Sequence, residues 1–283
     1  MNKIILALGM LTISSAHANL NIRLAQSFST SSALWSGENK LDYSGASLFG
    51  NEKVATRHYY QTKLDVRKDF KNNFYLQSGF IYSYSKTLDA PILQTVEGES
   101  HSQLTKMTVS GGYRFNFARH QFTTFLGYEH PGQMSIKQPV FLSPHDYSTN
   151  FLIGGTYTHY FSKWIASLYV VNRHVIKGTQ PNQILFQTQS VYRYNSKFSF
   201  GAGIDLFHAF GGIDINSQRF SDFTTRRGVI PVWRKKERFW GASLISIYQF
   251  SNLISYDFYL HKKLTGRNTD DGTTLGAAAT WNF

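Results

Sequence analysis

Basic side chains recur in one alternating phase along this chain, at Arg23, Arg57, Lys63, Arg67, Lys106, Arg114, Arg173, Arg193 and Lys263. Fewer acids share that phase, namely Asp65, Glu129, Asp205 and Asp257. Residues two apart on an extended backbone point to the same side, so strands here would gather these groups on one net-positive surface. Charges so concentrated cannot be buried dry without a large desolvation cost, and the surface must either hold water or be laced with ion pairs. Two readings follow. One is a hydrated passage favouring anions, and the other is a plug in which cations and carboxylates neutralise one another.

Other clusters point less clearly to chemistry. The segment "RFSDFTTRRGVIPVWRKKER" carries Arg226, Arg227, Arg234, Lys235 and Lys236. It reads as a basic loop that is solvated, touches lipid phosphates or draws an anionic solute toward a pore. Without a base-reading module, nucleic acid is not an expected partner. His101, His130, His145, His174, His208 and His261 fall on six separate segments with no ligand spacing, so neither a metal nor a cofactor is expected. Asp270 and Asp271 in "GRNTDDG" read as loop chemistry. Hydrolysis of lipid would need a serine, a histidine and an orienting group in mutual reach, and no G-x-S-x-G is present to mark the nucleophile. In the charged phase also lie Tyr59, Tyr75, Phe125, Tyr160, Phe207 and Tyr259, which could line a path for aromatic compounds.

The elements that would position these residues are legible as strands. Alternating segments fall near 19 to 30, 53 to 67, 73 to 86, 103 to 117, 121 to 130, 149 to 161, 164 to 174, 183 to 194, 197 to 210, 238 to 250 and 253 to 264, with a last one ending at Phe283. The segment 164 to 174 is apolar on both faces and leaves its orientation open. Short turns such as "KDFKNN", "ARHQ" and "YNSK" alternate with long connections at 31 to 52, 87 to 102, 131 to 148, 175 to 182, 211 to 237 and 265 to 272. About twelve strands so connected predict an all-β, closed antiparallel transmembrane barrel with short periplasmic turns and long extracellular loops.

Composition agrees. The chain of 283 residues has 23 Phe and 17 Tyr but no Cys, and a formal net charge of +12. Its mean hydropathy is −0.29 despite those aromatics, as expected when apolar-out and polar-in residues average within each strand. No run of about 20 apolar residues exists for a membrane helix. A soluble β-sandwich would share the alternation but hold its aromatics mid-strand in a core. Here Phe115, Phe117, Phe161, Trp164, Tyr194, Phe250, Trp281 and Phe283 crowd the short turns and the C-terminus, as an interfacial girdle would. Residues 1 to 18 carry Lys3, an apolar run and Ala16-His17-Ala18, the pattern of a cleaved secretory signal. Residues 19 to 283 then form one barrel domain with no internal repeat.

The signal pattern, the strands and the terminal Trp281-Asn282-Phe283 together resemble Gram-negative outer-membrane β-barrel proteins. That resemblance spans the chain and implies that Trp281 and Phe283 serve as an assembly signal read by the barrel assembly machinery. It also implies an outer membrane with its lipid and lipopolysaccharide as surroundings. Members of this class include acidic-oligosaccharide channels, nucleoside channels, autotransporter pores and lipid-cleaving enzymes. The expected function is passive diffusion of small polar or anionic solutes through a narrow basic lumen. The alternatives are an outer-membrane lipid hydrolase, of phospholipase or lipid A deacylase type, and an uptake channel for apolar or aromatic compounds.

Overall fold

A computed structural model describes residues 19–31, 33–36, 39–42, 56–88, 100–132, 148–178, 180–211, 237–267, 269–270 and 272–283. The signal segment and the basic residues Arg226, Arg227, Arg234, Lys235 and Lys236 lie outside the described residues. The strands are β1 (Asn19–Ser31), β2 (Ala33–Ser36), β3 (Asn39–Asp42), β4 (Thr56–Asp69), β5 (Phe74–Leu88), β6 (Ser100–Phe117), β7 (His120–Pro131), β8 (Thr149–Tyr160), β9 (Trp164–Lys177), β10 (Asn182–Arg193), β11 (Phe198–Phe210), β12 (Arg238–Gln249), β13 (Ile254–Arg267), β14 (Thr269–Asp270) and β15 (Thr273–Asn282).

Twelve of them form one closed antiparallel barrel. The seam falls where the sequence requires it: β1 pairs with β15 from Asn21↔Asn282 to Thr30↔Thr273, and with β4 from Asn19↔Asp69 to Ser31↔Arg57. Leu20 and Phe283 exchange both backbone hydrogen bonds, at 3.0 and 2.7 Å, so the final aromatic residue completes the last rung. Closure leaves no edge strand in the wall, which a sheet within lipid cannot tolerate.

Tight turns join neighbours at the periplasmic end. The Phe70–Asn73 turn is closed by Phe70 N–H donating to Phe74 O at 2.8 Å, with Asn73 in the left-handed region at φ 64°. In "YNSK", the Asn195 carboxamide oxygen accepts from the backbone of both Lys197 and Phe198 at 2.8 Å. At the opposite end, β14, β2 and β3 form a small three-stranded sheet. The sequence predicts loops over those stretches. Their pairing, Thr269↔Trp35 and Asp270↔Leu34, joins residues more than 200 positions apart and has no local signature.

The two faces of the wall invert the arrangement of a soluble core. Among the described residues, the largest fully buried side chains are polar: Asn150, Thr269, Ser83 and Ser148. Leu126, Ile153, Ile204, Phe258 and Leu275 are each more than half exposed on the outer face. Beside the short turns and the C-terminus, Phe117, Phe161, Trp164, Tyr194, Phe250 and Phe283 form the aromatic rim. Such an outer face is stable only against lipid. Strand β9, ambiguous by pattern, turns Leu168 outward and holds Val171 buried on the inner side.

Candidate solute pathway

The inner face follows from the wall's register. On β4, alternation carries Lys63, Asp65, Arg67 and Asp69 inward, and on β6 it carries Lys106 and Arg114. Strand pairing then decides which of them meet. Asp69 Oδ1 accepts from Arg67 at 3.0 Å (Nε) and 2.8 Å (Nη2), and from Arg114 Nη2 at 3.1 Å. Two guanidiniums therefore converge on one carboxylate oxygen. Higher on the wall, Glu129 lies 3.1 Å from Lys106 Nζ and 3.1 Å from Arg173 Nε. It also accepts from Asn150 Nδ2 at 2.8 Å, and Asn150 is fully buried.

Further opposite charges meet on the same face. Lys63 lies 2.9 Å from Asp65, Arg23 donates to Asp257 at 2.6 Å, and His261 Nε2 lies 3.0 Å from Asp205 Oδ1. Lys263 reaches Thr269 Oγ1 at 3.0 Å and stands 4.0 Å from Glu237. It also sits over the ring of Phe239, 4.7 Å from the centroid. Arg193 ends β10 at the periplasmic rim and is exposed. The backbone of Arg57 is placed opposite Ser31, while its side chain lies outside the described residues.

Aromatic residues on this face lie flat against the wall. Tyr75 is directly opposite Gly112, and Tyr259 directly opposite Gly276. A Cβ on Gly112 would sit 2.7 Å from the Tyr75 ring, and one on Gly276 would sit 2.2 Å from the Tyr259 ring. Glycine is therefore what lets each ring fold against the neighbouring strand. The Arg67 guanidinium stacks over Tyr75 at 4.0 Å, Phe125 stacks on Tyr169, and Phe207 on Phe239 at 5.2 Å and 13°. Tyr59 donates to Ser83 Oγ at 2.8 Å, whereas Tyr160 lies at the periplasmic end of β8, partly exposed.

Space remains between these groups. A cavity of about 470 Å³ is lined by Lys63, Arg67, Lys106, Arg114, Glu129 and Arg173 among others. A second, of about 500 Å³, opens at the periplasmic end beside Asn21, Asn282, Arg67, Asp69 and Arg114. Arg67 and Arg114 line both cavities. The arrangement is a polar lumen with an arginine pair lining two cavities, each of several water volumes.

The chain matches no protein-family profile and no curated protein. Its fold does have solved counterparts. The COG4313 outer membrane channel from Pseudomonas putida F1 superposes with a TM-score of 0.71 at 14% identity, over 97% of this chain and 98% of that one. The fold is that of outer-membrane β-barrel channels. The KdgM porin aligns with a TM-score of 0.51 at 6% identity, over 92% of this chain and 99% of its own. For the NanC porin the values are 0.50, 10%, 93% and 98%.

Several residues of this inner face escaped the sequence pattern. The sequence predicts a turn at Asp69, two residues past the expected end of the strand, whereas β4 extends to it and sets it beside Arg67. Glu237 falls within a predicted loop, and His261, one of the six scattered histidines, shares the strand phase of Asp257 and Lys263. Asn150 carries no charge to mark it. Of the other five histidines of that group, His130 bonds its neighbour Pro131 O, His208 packs edge-on against Phe210, His174 is exposed on β9, and His145 and the side chain of His101 lie outside the described residues. Asp271 and the side chain of Asp270 lie outside them as well.

Proposed function

We propose that the protein is an outer-membrane channel for passive diffusion of small polar, anionic solutes. The observation that carries this reading is the arginine pair: Arg67 and Arg114 share one carboxylate oxygen of Asp69 and line both cavities. One negative charge against two positive ones leaves a local excess of +1 in a confined passage. Fixed cations there lower the entry energy of anions and raise that of cations. Rings folded against Gly112 and Gly276 keep bulk out of the lumen, which further supports a pathway rather than a plug. The channel and porin names of the structural counterparts are consistent with transport. Twelve strands lie between the filled eight-stranded barrels and the open sixteen-stranded porins, so the passage is narrow.

Single-channel recording across an asymmetric salt gradient tests this reading. The native protein is expected to be anion-selective at low salt, and the Arg67→Gln, Arg114→Gln double variant to lose that preference by about tenfold in permeability ratio. Cation selectivity of the native pore, or no conductance from correctly folded protein, would overturn it. Parallel liposome swelling with sugar acids, neutral sugars and aromatic solutes, beside a lipase assay, tests the uptake-channel and hydrolase alternatives directly.

A further inference from the structure

On the outer side of the wall, away from the lumen, two histidines meet that are 39 positions apart in sequence. His120 opens β7 and His159 precedes the end of β8, and the register places them directly opposite each other. Both are half-buried. Their phase is opposite to that of Phe125 and Glu129, so they face outward within the periplasmic aromatic rim. The two Nδ1 atoms lie 3.1 Å apart, with ring centroids at 4.5 Å. Tyr157, on the same side of β8, brings its hydroxyl to 2.8 Å from His120 Nδ1. Phe161 packs edge-on against His159 at 4.2 Å, and Phe122 lies 4.8 Å from Tyr157, so the cluster is held on two sides by rings.

The hydrogen-bond inventory of this cluster does not balance. A neutral imidazole presents at Nδ1 either one proton or one lone pair. His120 Nδ1 faces two partners, so whichever tautomer it adopts, one proton or one lone pair is shared between Tyr157 and His159. A divalent cation at the point of convergence removes that conflict by taking both imidazole lone pairs, with the phenol oxygen as a third donor. The spacing suits this. Metal–nitrogen bonds of about 2.0–2.1 Å would place two nitrogens 3.1 Å apart at an N–M–N angle of roughly 100°, between the tetragonal and tetrahedral ideals.

We propose that His120, His159 and Tyr157 form a binding site for a first-row divalent metal ion at the periplasmic rim, with Cu²⁺ held most tightly and Zn²⁺ more weakly, in the order that imidazole donors impose. The chain contains no cysteine to compete for such an ion. Holding two neighbouring strands through one ion would also clamp the β7–β8 hairpin at the membrane surface. The site is independent of the lumen, and its test is independent of conductance.

The experiment is titration of tag-free, detergent-solubilised protein with CuCl₂ and with ZnCl₂, read by calorimetry, and by electron paramagnetic resonance for copper. One tight Cu²⁺ site with a two-nitrogen hyperfine pattern is expected. Loss of a group that merely supports a ligand weakens metal sites by about 10–100-fold. Accordingly His120→Asn and His159→Asn should each weaken binding by about a hundredfold, and Tyr157→Phe by about tenfold. The control His174→Asn, His208→Asn should leave the site intact. Native protein that binds copper no more tightly than the His120→Asn, His159→Asn double variant would overturn the proposal, as would equal weakening in the control. Retained heat-modifiable migration on gels shows that each variant is folded, and if a histidine variant is not, the Tyr157→Phe titration decides alone.

Discussion

Two sides of the inner wall use the same two devices with different redundancy. On the β4–β6 side, Asp69 is held by both Arg67 and Arg114, and Tyr75 folds over Gly112. On the β1–β13–β15 side, Asp257 is held by Arg23, and Tyr259 folds over Gly276. A carboxylate with two cationic partners keeps one when the other is removed, and meanwhile leaves positive charge over for a passing solute. One with a single partner is a structural tie, neutral as a unit. Under the proposed function, the wall would thus separate charge available to solutes from charge that holds strands together.

The glycines give the largest expected contrast. A Cβ on Gly112 would lie 2.2 Å from the backbone oxygen of Thr124, which cannot retreat without breaking the wall. The nearest atoms to a Cβ on Gly276 all belong to the Tyr259 ring, which can swing into the lumen. Gly112→Ala should therefore abolish recovery of folded barrel, measured as heat-modifiable protein in outer-membrane fractions. Gly276→Ala should fold, with conductance lowered by up to about twofold as the ring enters the passage. Equal yields of the two variants would break the comparison.

Next in size is loss of the one cation that pairs with Asp257 among the described residues. Arg23→Gln leaves Asp257, whose side chain is only 13% exposed, without its cation. Removing one member of a buried pair costs about 3–5 kcal/mol. Because Arg23 itself is 34% exposed, solvent reduces this to about 2 kcal/mol. Urea unfolding of the barrel in lipid vesicles measures it. Arg67→Gln leaves Arg114 on Asp69, so its cost should stay under about 1 kcal/mol while the reversal potential moves toward zero. If Arg67→Gln proves the more destabilising variant, redundancy is not what distinguishes the two sides.

The smallest effect is ionic. Raising salt from about 0.1 to 1 M shortens the screening length from about 10 to 3 Å. Anion preference should decline across that range, and decline least in Arg67→Gln, which has the least excess charge to screen. Reversal potentials at a fixed salt ratio report the trend.

Much of the architecture could be read before any coordinate. The apolar phase of Leu20, Ile22 and Leu24 fixes one face of β1, and the turn residues in "YNSK" end β10 and begin β11 within a residue or two. These are local signals, because side-chain alternation and turn geometry depend on neighbours in sequence. The inward phase of Arg23, Lys63, Arg67, Lys106 and Arg114 followed by the same rule. Strand ends were less legible: β4 runs on to Asp69 because its partner β1 extends to Asn19 and supplies hydrogen bonds there. The sheet of β2, β3 and β14 has little local signature because its strands are two to four residues long and β14 pairs with β2 across most of the chain.

Which side of most strands is apolar, where the chain turns, and that the apolar sides face lipid are all legible in the residues alone, since each depends on composition and period. Which side chains meet is a matter of pairing between strands. That Asp69 is shared by two arginines, that Asp205 holds His261, and that His120 faces His159 are consequences of register between strands. A register slip of one residue would turn each side chain to the other face and dissolve all three contacts. Register is set by closure of the whole wall, from the Leu20–Phe283 rung onward, and no single segment encodes it.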